Sequence, residues 1–134
     1  MSTLLLDTNA FSGLLRGDQH VFDVLMHASS VYMSVVVLGE LMSGYKGGTK
    51  EQKNLETLST FLKKPRVEIL NVTHETAVLF ATVKNQLRKD GLPIPINDVW
   101  IACHGLEKEA IIVTYDQHFR HVKGLLLWDQ LKSH

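Results

Sequence analysis

At 134 residues the chain is long enough for a single domain with one buried core, expected to span residues 1–134. A composition 45% hydrophobic and 21% charged excludes a disordered or fibrous chain. The longest uninterrupted apolar runs, Ala77–Ala81 and Val99–Cys103, are far too short for a membrane-spanning helix. Fourteen basic and fourteen acidic residues cancel, so composition alone shows no nucleic-acid surface.

The one cysteine, Cys103, lies inside an apolar run and can form no disulfide within the chain. No basic segment precedes Leu4–Leu6, and those apolar residues are too few for a signal peptide. The expectation is a cytoplasmic protein with no membrane association.

Thr3–Leu6 reads as a short strand ending in Asp7, followed by an amphipathic helix to Leu15 that Gly17 closes. Gln19–His27 predicts a weak helix and Val31–Val35 a strand. The helix that follows carries Glu40 in its early turns and ends at the Gly44, Gly47, Gly48 cluster. Thr49-Lys-Glu-Gln52 has capping-box spacing and opens a helix that Pro65 stops near Lys64. Val67–Leu70 is a further strand. Thr73 then caps a long helix in which Ala77, Phe80, Val83 and Leu87 share a face, ended by Gly91.

The densest stretch is Leu92–Phe119. Pro93 and Pro95 hold the approach extended. Asn97 is then the expected N-cap and Asp98 a first-turn acid, where free N–H groups favour negative charge. Val99–Cys103 is apolar on every side, which predicts a buried helix. Ala110–Thr114 reads as a strand covered on both faces, with Asp116 just past its end. Leu125–Trp128 is a last short strand. Strands alternating with helices predict a three-layer α/β/α sandwich on a mainly parallel sheet.

Asp7 and Asp116 follow the C-terminal ends of strands, Asp98 opens a helix approached from that edge, and Glu40 sits early in a helix after a strand. Ligands bind at that edge of open parallel sheets. Four carboxylates crowded there could not all stay ionised without a counter-charge. An all-oxygen set suits Mg²⁺ or Mn²⁺, whereas zinc would call for His or Cys. With four acids so occupied, fourteen basic residues face ten acidic ones elsewhere, an excess of +4. Basic residues also bunch at Lys46–Lys53, Lys63–Arg66, Arg88–Lys89 and Arg120–Lys123, compatible with a modest phosphate-facing surface.

Leu5-Leu-Asp-Thr-Asn9, Val37-Leu-Gly-Glu-Leu41, Pro95-Ile-Asn-Asp-Val-Trp-Ile-Ala102 and Val113-Thr-Tyr-Asp-Gln-His-Phe119 resemble, in order, the successive motifs of the PIN-domain family. The match is nearest to VapC-type ribonuclease toxins of toxin–antitoxin pairs, and Val122-Lys-Gly-Leu-Leu-Leu is similar to the family's final strand. The resemblance implies a metal-dependent endoribonuclease with Asp7, Glu40, Asp98 and Asp116 as catalytic and metal-binding acids. Thr8, Asn9, Asn97 and Thr114 would support them. One or two Mg²⁺ (or Mn²⁺) ions would activate water and neutralise the scissile phosphate. Asp7, Asp98 and Asp116 are the choices for metal contact, with Glu40 holding an activated water or a second ion. The family also implies an RNA substrate, a cognate antitoxin and a homodimer. The apolar residues Phe11, Leu14, Leu15, Phe22, Leu25 and Met26 are candidates to line a dimer or antitoxin surface.

Arg16 could reach phosphate or be only a solvated cation ending its helix. His118 and His121 are read as a polar helical turn rather than a metal pair, and Cys103, Trp100 and Phe119 as packing residues. A phosphatase using an Asp-x-Asp nucleophile would need an acid where Asn9 stands. A phospho-receiver would need paired acids at the first strand and a Lys where Tyr115 stands. A catalytically inactive PIN-like module that binds RNA or protein is the remaining alternative.

Overall fold

The structure, a computed structural model, describes residues 2–132. The elements run β1 (Ser2–Leu6), α1 (Thr8–Leu15), α2 (Gln19–Met26), β2 (Ala28–Ser34), α3 (Val35–Tyr45), α4 (Glu51–Leu62) and β3 (Val67–Leu70). There follow α5 (His74–Asp90), α6 (Ile96–Lys108), β4 (Ile111–Val113), a 3₁₀ turn (Gln117–His121), β5 (Leu126–Leu127) and α7 (Asp129–Lys132). The strands form one sheet in the order β3-β2-β1-β4-β5, and every neighbouring pair is parallel. This is the expected PIN-like α/β architecture.

Leu4, Leu5 and Leu6 of the central strand are all fully buried, which requires cover on both faces and accounts for their unbroken apolar run. Register then fixes the functional edge. Leu6 pairs with Met33 and Val113, and Ser34 with Leu70, so Asp7, Ser34, Asn71 and Thr114 lie at or just beyond neighbouring strand ends. No helix among the described residues is long and apolar enough to cross a membrane.

Some local expectations need correction. β2 begins at Ala28 and hands over to α3 at Ser34, whose hydroxyl accepts from the Val36 N–H. Thr49 forms no capping box: α4 starts at Glu51 after Lys50 with no side-chain cap, and Glu51 instead accepts from the Gly47 N–H at 2.9 Å. Asn97 is not an N-cap either, because Pro95 occupies that position and α6 begins at Ile96. With Pro95 and its fixed φ at the cap, the helix starts two residues earlier than an Asn97 cap would place it. Phe11 is not a surface residue. It is fully buried and meets Phe61 edge-on, ring centres 5.1 Å apart. Trp100 and Phe119 do pack, Trp100 stacked on Phe80 at 3.9 Å and Phe119 wholly enclosed.

A polar junction inside the fold was not visible in the sequence. His104 on α6 is 2% exposed, with Nδ1 2.9 Å from the Ser34 hydroxyl and Nε2 3.1 Å from the Asn71 carbonyl. A carbonyl can only accept, so Nε2 carries the proton and Nδ1 accepts from Ser34. Burial lowers the His104 pKa, consistent with a neutral ring. The ring thereby ties α6 to the start of α3 and the end of β3. His104→Leu removes both bonds and leaves buried partners unpaired, so urea unfolding is expected to show a loss of about 2 kcal/mol, largely recovered in His104→Gln. Equal stability of the Leu variant and wild type would refute this junction's structural role.

Candidate active site

Asp7 lies in the gap between β1 and α1 and is 3% exposed. One carboxylate oxygen accepts from the Ala10 N–H at 2.8 Å, capping α1; the other accepts from the Thr114 hydroxyl. Burial pushes its pKa up from 3.8 to about 6, against the lowering effect of those two hydrogen bonds, with the nearby charges of Asp116 and Asp98 adding to the rise. Thr114 is itself fully buried at the end of β4. Its Oγ1 also accepts from the Asp116 N–H at 3.0 Å, and its carbonyl accepts from the Trp128 indole at 2.7 Å. One threonine therefore sets the relative position of two acids.

Glu40 comes from the middle of α3. Its carboxylate accepts from the Thr8 hydroxyl at 2.5 Å on one oxygen and from the Asn97 amide at 3.4 Å on the other. Thr8 and Asn97 sit in the first turns of α1 and α6, so they brace Glu40 between the helices that Asp7 and Asp98 begin. Asp98 is half-buried in the first turn of α6. Burial is the main cause of its raised pKa, offset by His118 and reinforced by Glu40 and Asp116. Asp116 precedes the 3₁₀ turn but makes no capping bond with its side chain. Asp7 thus lies in the field of Asp98 and Asp116, and Asp98 in that of Glu40 and Asp116.

Of the other expected residues, Thr8, Asn97 and Thr114 join this network, whereas Asn9 is exposed in α1. Arg16 is exposed at the C-terminal end of α1, about 13.5 Å along the helix from Asp7 at 1.5 Å per residue. His118 lies in the expected polar turn, a 3₁₀ one, and from there also reaches the site. Its Nε2 lies 2.8 Å from Asp98 Oδ2. The turn from Asp116 is too tight to carry the ring away, and a histidine two residues past a strand-end acid was the available signal.

The donor set fits a divalent cation. One ligand atom of each of Asp98, Asp116 and His118 lies within 4.8 Å of the other two. The buried Asp7 carboxylate holds its proton unusually tightly because burial, and then the charges of Asp116 and Asp98, disfavour its ionised form. Among the described residues no Lys or Arg ion pair reaches these acids.

The raised Asp7 pKa has a thermodynamic consequence. The folded chain binds this proton more tightly than the unfolded chain, so its stabilising effect is complete below about pH 4 and lost as pH rises through about 6. In metal-free protein, wild-type stability relative to Asp7→Asn is expected to fall by at most about 3 kcal/mol across that window. Denaturant melts at pH 4, 5, 6 and 7 measure it. A flat difference would show that Asp7 titrates normally.

The PIN domain sequence profile matches residues 4–125. Ribonuclease VapC1 of Haemophilus influenzae is 27% identical over 133 residues, covering 96% of this chain and 98% of the relative. Ribonuclease VapC4 of Mycobacterium tuberculosis is 31% identical over 86% of this chain and 87% of the relative. The structure of VapBC2 from Rickettsia felis, bound to a DNA fragment from its promoter, superposes with a TM-score of 0.83 at 26% identity, covering 95% of this chain and 99% of that one. With a profile match that starts in the first strand and ends just before the last, and relatives of one kind matched over most of their length, this chain belongs to the PIN-domain family, in its VapC-type branch.

Proposed function

We propose that this chain is a divalent-metal-dependent endoribonuclease, the toxin of a two-protein toxin–antitoxin pair acting in the cytoplasm. The observation that carries the reading is the convergence of Asp7, Glu40, Asp98 and Asp116 at one sheet edge, cross-braced by Thr8, Asn97 and Thr114. The names of its full-length relatives, all ribonucleases, supply the substrate class.

Asp7, Asp98 and Asp116 would hold Mg²⁺ or Mn²⁺. When bound, the ion supplies positive charge to the scissile phosphate and acidifies the attacking water. Thr114 keeps Asp7 and Asp116 in fixed relation, so the ligand set is arranged before any ion arrives. Glu40, held on both oxygens, is placed to orient water at the phosphate or to contact a second ion. Asn9 is exposed beside Asp7 and faces the RNA. Arg16 would meet the RNA backbone away from the scissile group.

The antitoxin would occupy an apolar groove of about 280 Å³ between α2 and α4, lined by Leu14, Phe22, Leu25, Met26, Phe61 and Val67. Phe22, Met26 and the neighbouring Leu15 remain exposed, and Lys64 and Arg66 stand at its side. An apolar peptide segment with an acidic flank suits that surface. Pairing of two copies is also proposed.

Purified free of any partner, the chain is expected to cut single-stranded RNA with Mg²⁺ or Mn²⁺ and to stop in EDTA. Asp98→Asn and Asp116→Asn should each lower cleavage by at least about 100-fold, while exposed Glu56→Gln leaves it unchanged. Mg²⁺ should raise the melting temperature of wild type and Glu56→Gln more than that of the two aspartate variants. Wild-type cleavage by both aspartate variants would overturn the nuclease reading in favour of an inactive binding module. Light scattering at tens of micromolar, in which a monomer alone is seen, would remove the homodimer.

A further inference from the structure

The four acids are an all-oxygen set, yet a nitrogen ligand stands among them. We propose that His118 is a direct ligand of the divalent ion, beside Asp98 and Asp116, making a mixed nitrogen–oxygen site that favours Mn²⁺ over Mg²⁺. The proposal rests on the metal-nuclease reading above and adds to its acidic quartet a residue of the fourth motif.

Three observations carry it. The first is spacing. Ligands about 2.1 Å from an ion in octahedral geometry are about 3.0 Å apart when adjacent and about 4.2 Å when opposite. His118 Nε2 and Asp98 Oδ2 are 2.8 Å apart, near the adjacent-ligand spacing, and the set including Asp116 lies within 4.8 Å, so an adjustment of at most about 0.6 Å brings all three atoms into one coordination sphere.

The second is the unfinished bonding of the ring nitrogen. At 2.8 Å from a carboxylate oxygen, Nε2 is buried yet has no hydrogen-bond partner in line with its N–H direction. An ion on the Nε2 side of the ring would fill that unused position, with the nitrogen lone pair as the donor.

The third is preorganisation. The turn carrying His118 is fixed at both ends. The Asp116 N–H donates to Thr114 Oγ1 at 3.0 Å, and Phe119 is completely buried, its N–H donating to the Asp116 carbonyl at 3.3 Å. The imidazole also rests against the Phe119 ring, centres 5.0 Å apart. His118 therefore needs no large rearrangement to face Asp98.

The consequence for metal choice is chemical. Imidazole is a softer donor than carboxylate and binds Mn²⁺ and later transition ions better than Mg²⁺, which keeps to oxygen. Three protein ligands, two of them anionic, leave coordination positions open for phosphate and water.

The test uses the full chain, freed of metal and of any partner, with Mn²⁺ as the probe. Pulsed electron paramagnetic resonance of bound Mn²⁺ is expected to show ¹⁴N modulation in wild type and in His121→Gln, and none in His118→Gln. Wild-type protein labelled with ¹⁵N only in histidine should exchange the ¹⁴N pattern for a ¹⁵N one, a check that needs no variant. His118→Gln should also weaken Mn²⁺ binding by about tenfold or more, with a much smaller loss for Mg²⁺ measured by competition. Absence of nitrogen modulation in wild type, its persistence in His118→Gln, or failure to bind Mn²⁺ would each overturn the proposal. RNA cleavage takes no part in this readout. A chain that shows the nitrogen signal but cuts no RNA would lose the nuclease reading and keep this site.

Discussion

The desolvation and mutual repulsion of carboxylates at the end of β1 and β4 shape everything around them. Asp7 is nearly sealed from water and surrounded by the fields of Asp98 and Asp116, which is why its pKa climbs to about 6. Such a group persists only if hydrogen bonds and partial charges offset part of the cost. The start of α1 supplies the Ala10 N–H and the positive end of its backbone dipole, and Thr114 supplies a hydroxyl. Neither supplies a full positive charge. The folded chain thus carries an electrostatic deficit at its sheet edge, and a divalent cation is the simplest thing that removes it.

The same edge explains the rest of the polar interior. A parallel sheet ends its strands together, and each strand is followed by a helix whose first turn offers unpaired N–H groups. Thr8, Asn97 and the Ser34 cap occupy those first turns. The His104 junction locks α6 to the base of α3, and the Asn97–Glu40 contact joins the same two helices closer to the acids. Two cross-links at different heights restrain the angle between the helices, and with it the separation of Glu40 from Asp98. Rigidity at the acids is thus set by neutral hydrogen bonds, which do not add to the charge imbalance.

Much of this could be read from the sequence, and the failures follow a pattern. The strands and the order of helices were readable because the buried parallel strands form unbroken apolar runs such as Leu4–Leu6 and Ile111–Val113. The acids were readable because each stands next to such a run. Cap assignments failed where another residue took the cap position, as Pro95 did in place of Asn97 and Lys50 in place of Thr49. Phe11 was misplaced because helical spacing shows which residues share a face, not which face looks inward. α1 is packed against both α2 and α3, so its Phe11 side is enclosed. His118 and His104 were missed for a different reason. A histidine's role depends on what lies across from it, and the partners Asp98, Ser34 and Asn71 are far away in the chain.

Helix α1 joins the two functional ends of the molecule. Its first residue follows Asp7, and its final turn presents Leu14 and Leu15 to the apolar surface where an antitoxin is proposed to sit. Eight residues are short for an isolated helix, so α1 keeps its position through packing and through the Asp7 cap rather than through its own propensity. A partner gripping its far end would therefore stabilise the helix whose start is capped by Asp7, a proposed metal ligand. That contact alone would tend to favour the ordered site. Inhibition by a partner in the groove then requires something further, a segment that continues past Arg16 to the acids and occupies the space of the phosphate or the ion. A cationic group at the end of such a segment would meet the same charge deficit that a metal relieves. On these grounds the short helix would anchor the proposed partner, and the acidic edge is what that partner would have to block.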